Sequence, residues 1–448
     1  MQRSKMIKLT ILTTVSLFIF GAGTMAQKTN EFSIKQAVDY GLTNSVQVKN
    51  ALLDVLIQEQ YTRDITSGAF PQITANGSVT DYLYIPTSLL PGEIVGQPAG
   101  TYLPVKFGTK YGSNAGVSLS QVIFDGQVFV GLQARKSSID ARRKAAEITQ
   151  ENIKANIYKV YYQLVVSKTL IELLDANISR MEKWDHDTRE IYKNGFAEKV
   201  DVDKLTVQLA NLQTEKLKTM NSIRNGYAGL KVLLGMPLKD SLVLTDTLND
   251  TQVKENIVES SVYKYNDRKE YQLLEITNKL NAYNIKRYRL SQIPVLNFNA
   301  NYSKQAQRTK FDIFNKGDWF TTSYIGLNIN IPIFKGFSTR AKITQSKLEL
   351  QQTRNQLEGL KISIDNDVEV AKNNFITATS TMDYQKQNMA LAELVYEQTK
   401  RKYEAGTGSS TEINTAQVDL KTAQTNYISA LYDAIIARID LLKAVGKL

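Results

Sequence analysis

From Gln127 to Asn194 the chain runs about 68 residues with no proline and a single glycine, Gly131. Ile139, Ala146, Ile153, Val160, Ser167, Leu174 and Met181 stand seven apart, and Ile157, Leu164, Ile171 and Ile178 keep the same beat four residues behind. Two apolar rows at heptad spacing predict one continuous helix with a broad stripe, the pattern of coiled-coil packing. At about 1.5 Å per residue it would be roughly 100 Å long. A helix of that length needs partners of similar length.

The same rows return 211 residues later as Leu350, Leu357, Ile364, Ala371, Ala378, Gln385 and Ala392, with Val368, Phe375, Met382 and Met389 behind them. Punctuation returns with them. Tyr192-Lys193-Asn194-Gly195 is matched by Tyr403-Glu404-Ala405-Gly406, Leu233-Leu234-Gly235 by Ala444-Val445-Gly446, and Phe124-Asp125-Gly126 by Phe334-Lys335-Gly336. The chain therefore reads as an internal tandem repeat.

The first repeat is expected over 27–237, with a helix near Val46 to Ser67, strands near 70–83 and 111–124, a long helix 127–194 and a helix 198–235. The second spans 268–448, with a helix near Arg268 to Ser291, strands near 293–307 and 319–334, a long helix 337–405 and a helix 410–446. In each half the short and medium helices together nearly equal the long one, so they could stack end to end as its antiparallel partner. Residues 238–267 form a linker, expected to wrap the outside near mid-height. All eight prolines fall outside the predicted helix interiors, where their missing N–H would break the backbone ladder.

The four extended segments alternate by two. Leu296, Phe298, Ala300 and Tyr302 alternate with Asn297, Asn299 and Asn301; Ile325, Leu327 and Ile329 alternate with Gly326, Asn328 and Asn330. One apolar and one Asn/Ser/Gly face suits an outer-membrane strand, although a soluble sandwich strand alternates in the same way. Tyr82, Tyr84, Tyr102, Tyr111, Phe311, Trp319 and Phe320 cluster near the strand ends, where an aromatic girdle would meet the membrane surface. Four strands cannot close a barrel, and an open edge in lipid leaves backbone groups unpaired. Strands that meet lipid must therefore be completed by other copies: three give twelve strands enclosing a lumen, whereas two give eight, largely filled by side chains.

Composition adds an address. Arg3, Lys5 and Lys8, an apolar run from Leu9 to Phe20 and Thr24-Met25-Ala26 read as a signal peptide over 1–26. The net charge of +11 falls to +8 without those three cations. What remains is spread along helix faces, which speaks against a nucleic-acid partner. With no cysteine and one histidine, His186, ligands for zinc or copper are few. Gly406-Thr407-Gly408-Ser409-Ser410-Thr411 lacks the Gly-Lys-Ser/Thr ending of a phosphate loop and follows a helix, so it reads as a turn and N-cap. No Ser/His/Asp set assembles without taking His186 from mid-helix. Neither an enzyme nor a cofactor is expected.

The duplicated plan, the paired strands and the Tyr-x-x-Gly turns, above all Tyr192-x-x-Gly195-Phe196-Ala197-Glu198-Lys199-Val200-Asp201-Val202 and Tyr403-x-x-Gly406-Thr407, resemble the TolC-type outer membrane efflux proteins over essentially the whole mature chain. The resemblance implies an α+β membrane protein of the cell outer membrane with a large periplasmic portion. Long antiparallel coiled-coil hairpins would form an α-barrel, and four transmembrane strands per protomer would form a 12-stranded β-barrel only in a homotrimer. Its function would be the passive exit duct of a tripartite efflux pump or type I secretion system. Partners would be a periplasmic adaptor (membrane fusion) protein, an inner-membrane transporter of RND or ABC type, and outer-membrane lipid.

The resemblance also implies a periplasmic gate at Asp201, Tyr403, Glu412 and Thr415, with Asp201 and Tyr403 as partners. The hairpin turns at Tyr192, Gly195, Phe196, Gly406 and Thr407 would contact the adaptor. Where the family carries a closing arginine this chain has Gly408, and of two acidic ring positions it keeps only Glu412, Thr415 replacing the other. Three copies of Glu412 would still favour cations in a narrow mouth. An alternative of another class is an elongated periplasmic coiled-coil adaptor without a pore. Adaptors have one helical hairpin, whereas two long hairpins, each preceded by paired strands, favour the duct.

Overall fold

A computed structural model describes residues 29–248, 253, 263–312 and 317–448. The expected signal peptide and residues 249–252 and 254–262 of the linker lie outside the described residues. In chain order the first half gives β1 (Thr29–Phe32), α1 (Ile34–Asn44), α2 (Val46–Ser67), β2 (Gln72–Asp81), β3 (Thr87–Pro91), β4 (Tyr102–Lys106), β5 (Tyr111–Phe124), α3 (Gly126–Lys193) and α4 (Lys199–Leu234). The second gives β6 (Ser241–Leu244), α5 (Lys269–Leu290), β7 (Val295–Arg308), β8 (Phe320–Asn330), α6 (Ser338–Glu404) and α7 (Ser410–Ala444). Two compact units divide the chain, and each draws on both sequence halves. One takes residues up to Ala51, Glu147–Arg268 and Ile362–Leu448; the other takes Leu52–Ala146 and Lys269–Lys361.

The second of these units is organised on an antiparallel sheet in the order β2-β5-β7-β8. Its register carries each face through all four strands. Ile73 lies opposite Leu119, Leu119 opposite Ala300 and Ala300 opposite Ile325; one pair further along stand Ala75, Val117 and Tyr302. Between them, on the other face, Thr74, Ser118 and Asn301 are aligned, followed by Asn76, Gly116 and Ser303. A sandwich would bury the apolar face against a second sheet. Here Ile73 is 67% exposed and Ile325 78%, and the edge strands β2 and β8 are exposed along their whole length. The helices join this sheet at one end, beside Gln72, Phe124, Val295 and Asn330, while the β2–β5 and β7–β8 connections leave the other. In the longer connection β3 and β4 pair as an antiparallel hairpin.

In the first unit α3 and α4 form one helical hairpin, closed by Leu174, Ile178 and Met181 against Leu205 and Leu212. A second core joins α1, the first turn of α2, α3 and α4 around Val38, Val48, Ile153, Ile157, Tyr161, Leu230 and Leu234. A capping box at Ser33 and Gln36 starts α1. The linker opens with β6, which pairs in parallel with β1, a strand partnership invisible in the apolar pattern of so short a segment. Tyr161 fastens this corner: its hydroxyl donates to the Phe32 carbonyl (2.9 Å) and accepts from the Asp246 N–H (3.3 Å). The Asp246 carboxylate in turn accepts from the Ile34 N–H at 2.8 Å.

Helix ends repeat in pairs. Gly195, Gly235, Gly406 and Gly446 all have positive φ. In each case the following N–H reaches back five residues, Phe196 to Ile191, Met236 to Lys231, Thr407 to Lys402 and Lys447 to Leu442. These are Schellman closures, in which glycine escapes the Cβ clash of left-handed backbone. A Cβ at Gly235 would meet the Asn44 carbonyl oxygen at 2.3 Å, and one at Gly446 the Asp267 carbonyl oxygen at 2.7 Å. The ends of α4 and α7 thus abut the residues just before α2 and α5.

Candidate functional site: the two hairpin turns

The sequence places its candidate residues at the α3–α4 and α6–α7 turns. Tyr192 is partly exposed, Phe196 is 86% exposed, and a Cβ on Gly195 or Gly406 would meet open space. Thr407 is tied down, its hydroxyl donating to the Lys402 carbonyl at 3.1 Å. The first turn is stiffened by ion pairs. Arg189 grips Asp185 with Nε and Nη2 at 2.7 and 3.1 Å, and a hydrogen bond from Lys193 holds the Glu190 carboxyl below its ordinary range. The Asp185 carboxylate beside His186 is therefore already engaged.

The structure brings the expected gate residues to the starts of α4 and α7 and to the end of α6. Asp201 sits in the first turn of α4, where the helix dipole favours a carboxylate, with Lys204 at 4.0 Å. Tyr403 packs edge-on against Trp184, with ring centroids 6.2 Å apart. Among the described hydrogen bonds none joins Asp201 to Tyr403 within the chain. Glu412 occupies the first turn of α7, its N–H capped by the Ser409 hydroxyl at 3.1 Å. Thr415 spends its hydroxyl on the Thr411 carbonyl at 3.0 Å. At Gly408 a Cβ would stand 3.0 Å from the Tyr403 nitrogen, so the position of the family arginine is pressed against the last turn of α6.

Sequence reasoning missed what holds the two turns together. Asn177 is buried and accepts from Gln417 Nε2 at 3.0 Å and from Arg180 Nη2 at 2.5 Å. Its own amide donates to Gln424 at 3.4 Å. The Arg180 guanidinium lies 5.8 Å from the centre of the Tyr396 ring. Beside this polar seam is a groove of about 200 Å³ lined by Trp184, Thr188, Ile191, Tyr396, Lys400 and Tyr403. A signal was present: Leu170, Asn177, Trp184 and Ile191 form a third heptad row on α3. An asparagine in such a row fixes register at some cost in stability.

With this geometry in view, the relatives are informative. A family model described as outer membrane efflux protein matches residues 276–447. The chain is 21% identical over 442 residues to the outer membrane efflux protein BepC of Brucella suis, covering 98% of this chain and 90% of the relative. It is 20% identical over 337 residues to the outer membrane protein TolC of Vibrio cholerae, covering 75% and 77%. Its fold matches the crystal structure of the Campylobacter jejuni CmeC outer membrane channel with a TM-score of 0.75 at 17% identity, covering 95% and 91% of the two chains. In sequence over residues 276–447, and in fold over most of its length, the chain is similar to the TolC-type outer membrane efflux proteins. It resides in the outer membrane, with a large helical part in the periplasm.

Proposed function

We propose that the protein is a passive trimeric exit duct, serving a tripartite efflux pump or a type I secretion system. The observation that carries this is the four-stranded sheet: apolar on one face, polar on the other, with both edges bare. With four alternating strands the edges β2 and β8 run in opposite directions, so β8 of one copy can continue antiparallel onto β2 of the next. Each unpaired backbone group in lipid costs several kcal/mol, which makes closure obligatory. Twelve strands leave room for water where eight would not. The helices support the same reading. On α6, Ile362 (71% exposed) and Ile376 in one heptad row and Tyr384 and Leu391 in the adjacent one are left bare, apolar positions that neighbouring copies would cover.

The paired Schellman turns and the matched helix abutments support a tandem duplication, in which each half supplies two strands and one hairpin to the wall. In this reading Asp201, Tyr403, Glu412 and Thr415 belong to the periplasmic gate. The turns at Tyr192, Gly195, Phe196, Gly406 and Thr407 meet the adaptor, which connects the duct to an inner-membrane transporter. Asp201 and Tyr403, unjoined within the chain, would bond across the assembled mouth. Purified from outer membranes, the protein should run as a heat-dissociable trimer and conduct in planar bilayers; a water-soluble monomer would refute the duct. Asp201→Ala combined with Tyr403→Phe should raise single-channel conductance, and an unchanged conductance would remove these residues from the gate.

A further inference from the structure

Among the described residues the β3–β4 hairpin has no counterpart in the second half of the chain. Between Tyr82 and Val105 the only charged side chain is Glu93, whereas the eleven residues joining β7 to β8 carry Lys310, Asp312, Lys316 and Asp318. Beyond its base pair, Thr87 opposite Lys106, the hairpin is largely apolar on both faces. Its register sets Leu89 against Pro104 and Pro91 against Tyr102 on one side, with Leu90 against Leu103 and Ser88 against Val105 on the other. Leu89, Ile94, Val95 and Tyr102 are all at least half exposed. A solitary surface loop in water has no reason to be so poor in charge.

Its stem shows which way it leans. Ile85, Pro86 and Phe107 wall a cavity of about 320 Å³ whose opposite side includes Ser78, Thr80, Asn114 and Gln305. Those four belong to the polar face of the sheet, since Ser78 pairs with Asn114 and Asn114 with Gln305 in the row beyond Asn76, Gly116 and Ser303. Gly112, on the same face, would place a Cβ 3.7 Å from the Tyr82 ring. The hairpin therefore overhangs the water-facing side of the wall, at the end of the sheet away from the helices. It also grows directly from β2, the bare edge where another copy would join.

We infer that the β3–β4 hairpins of three copies converge over the outer end of the pore and pack on one another through Leu89, Leu90, Ile94 and Leu103, forming an apolar cap. This rests on the trimeric duct proposed above. The occupant of each exposed apolar hairpin is the same hairpin of the other copies, because the lean toward the polar face directs it to the common axis and away from lipid. An apolar constriction of this kind blocks ions and water by dewetting until it is pushed apart.

The chain has no cysteine, so a single thiol gives a clean test. Ile94→Cys, at the hairpin turn, should form covalent dimers on oxidation in outer membranes, limited to about two thirds of the chains because three thiols make one disulfide. Heat-dissociable trimer without any dimer overturns the cap and leaves the duct standing; absence of the trimer overturns both. A second measurement does not depend on disulfide geometry. Asn301→Cys, mid-wall on the polar face, is labelled from outside intact cells with a bulky maleimide, with the hairpin present or with residues 87–106 replaced by a short Gly-Ser link. Removing the cap should speed labelling, because a hydrophobic constriction excludes polar solutes until it is opened. Equal rates refute it.

Discussion

Replacing Ile325 by arginine and, separately, Gly326 by arginine moves one charge by a single residue and onto the opposite face of β8. Ile325 continues the row of Ile73, Leu119 and Ala300, while Gly326 stands opposite Asn299. Both lie near the midpoint of the strand Phe320–Asn330. An arginine on the lipid face at the bilayer midplane costs about 2–4 kcal/mol per chain. At about 1.4 kcal/mol per decade this lowers the ratio of inserted to uninserted chains about thirty-fold to several-hundred-fold. At Gly326 no atom lies within 4 Å of a built Cβ, so the new side chain enters open space on the polar face. It should leave insertion unchanged and place three positive charges in the lumen. The assay is the fraction of membrane-extracted protein running as heat-dissociable trimer, followed by conductance and ion selectivity in planar bilayers. Ile325→Arg should lose the trimer; Gly326→Arg should keep it and shift selectivity toward anions. If Ile325→Arg inserts normally while Gly326→Arg fails, the faces are reversed and the water-filled wall is refuted.

Two further outcomes follow from the first unit. Gly195→Ala should cost only about 1–2 kcal/mol, the strain of left-handed backbone, whereas Gly235→Ala should fail to fold or lose far more, because its Cβ would meet the Asn44 carbonyl oxygen at 2.3 Å; thermal unfolding of the pair decides, and equal losses would undo the end-to-end abutment of α4 and α2. Tyr161→Phe removes two hydrogen bonds and should cost about 1–3 kcal/mol. Burial pushes the Tyr161 hydroxyl up to about 12, against about 10 when unfolded. The folded state holds that proton more tightly, so the stabilisation is complete below about pH 10 and is lost as pH rises through about 12. Unfolding measured from pH 8 to 12 should fall less steeply in the Phe variant; identical slopes would mean the hydroxyl is not buried.

The long helices were legible because a continuous apolar stripe at heptad spacing, free of proline, has few other conformations. Two faces were legible in the strands because side chains alternate with period two. That alternation cannot tell lipid from a second sheet. What speaks against a second sheet of the same chain is that, among the described residues, Ile73 and Ile325 stay exposed once the strands are paired. The β1–β6 pair was illegible because four-residue segments carry almost no periodic signal. The seam at Asn177 was half-legible: the third heptad row contains it, but Gln417, its buried partner, is 240 residues away.

At the turns, local chemistry suffices for backbone and does not specify partnership. Tyr-x-x-Gly specifies a Schellman closure through contacts no more than five residues apart, so Gly195 and Gly406 adopt it in the folded chain. The partners of Asp201 and Tyr403 depend on which helix ends are brought together; within one chain the Tyr403 ring packs on Trp184. By itself the sequence determined the elements, their order and the two-faced strands, since these follow from short-range backbone sterics and the spacing of apolar side chains. Only the tertiary structure decided the strand order β2-β5-β7-β8, the bare edges, the lean of the β3–β4 hairpin over the polar face of the sheet and the polar seam between hairpins, because each depends on pairings between residues far apart in the chain.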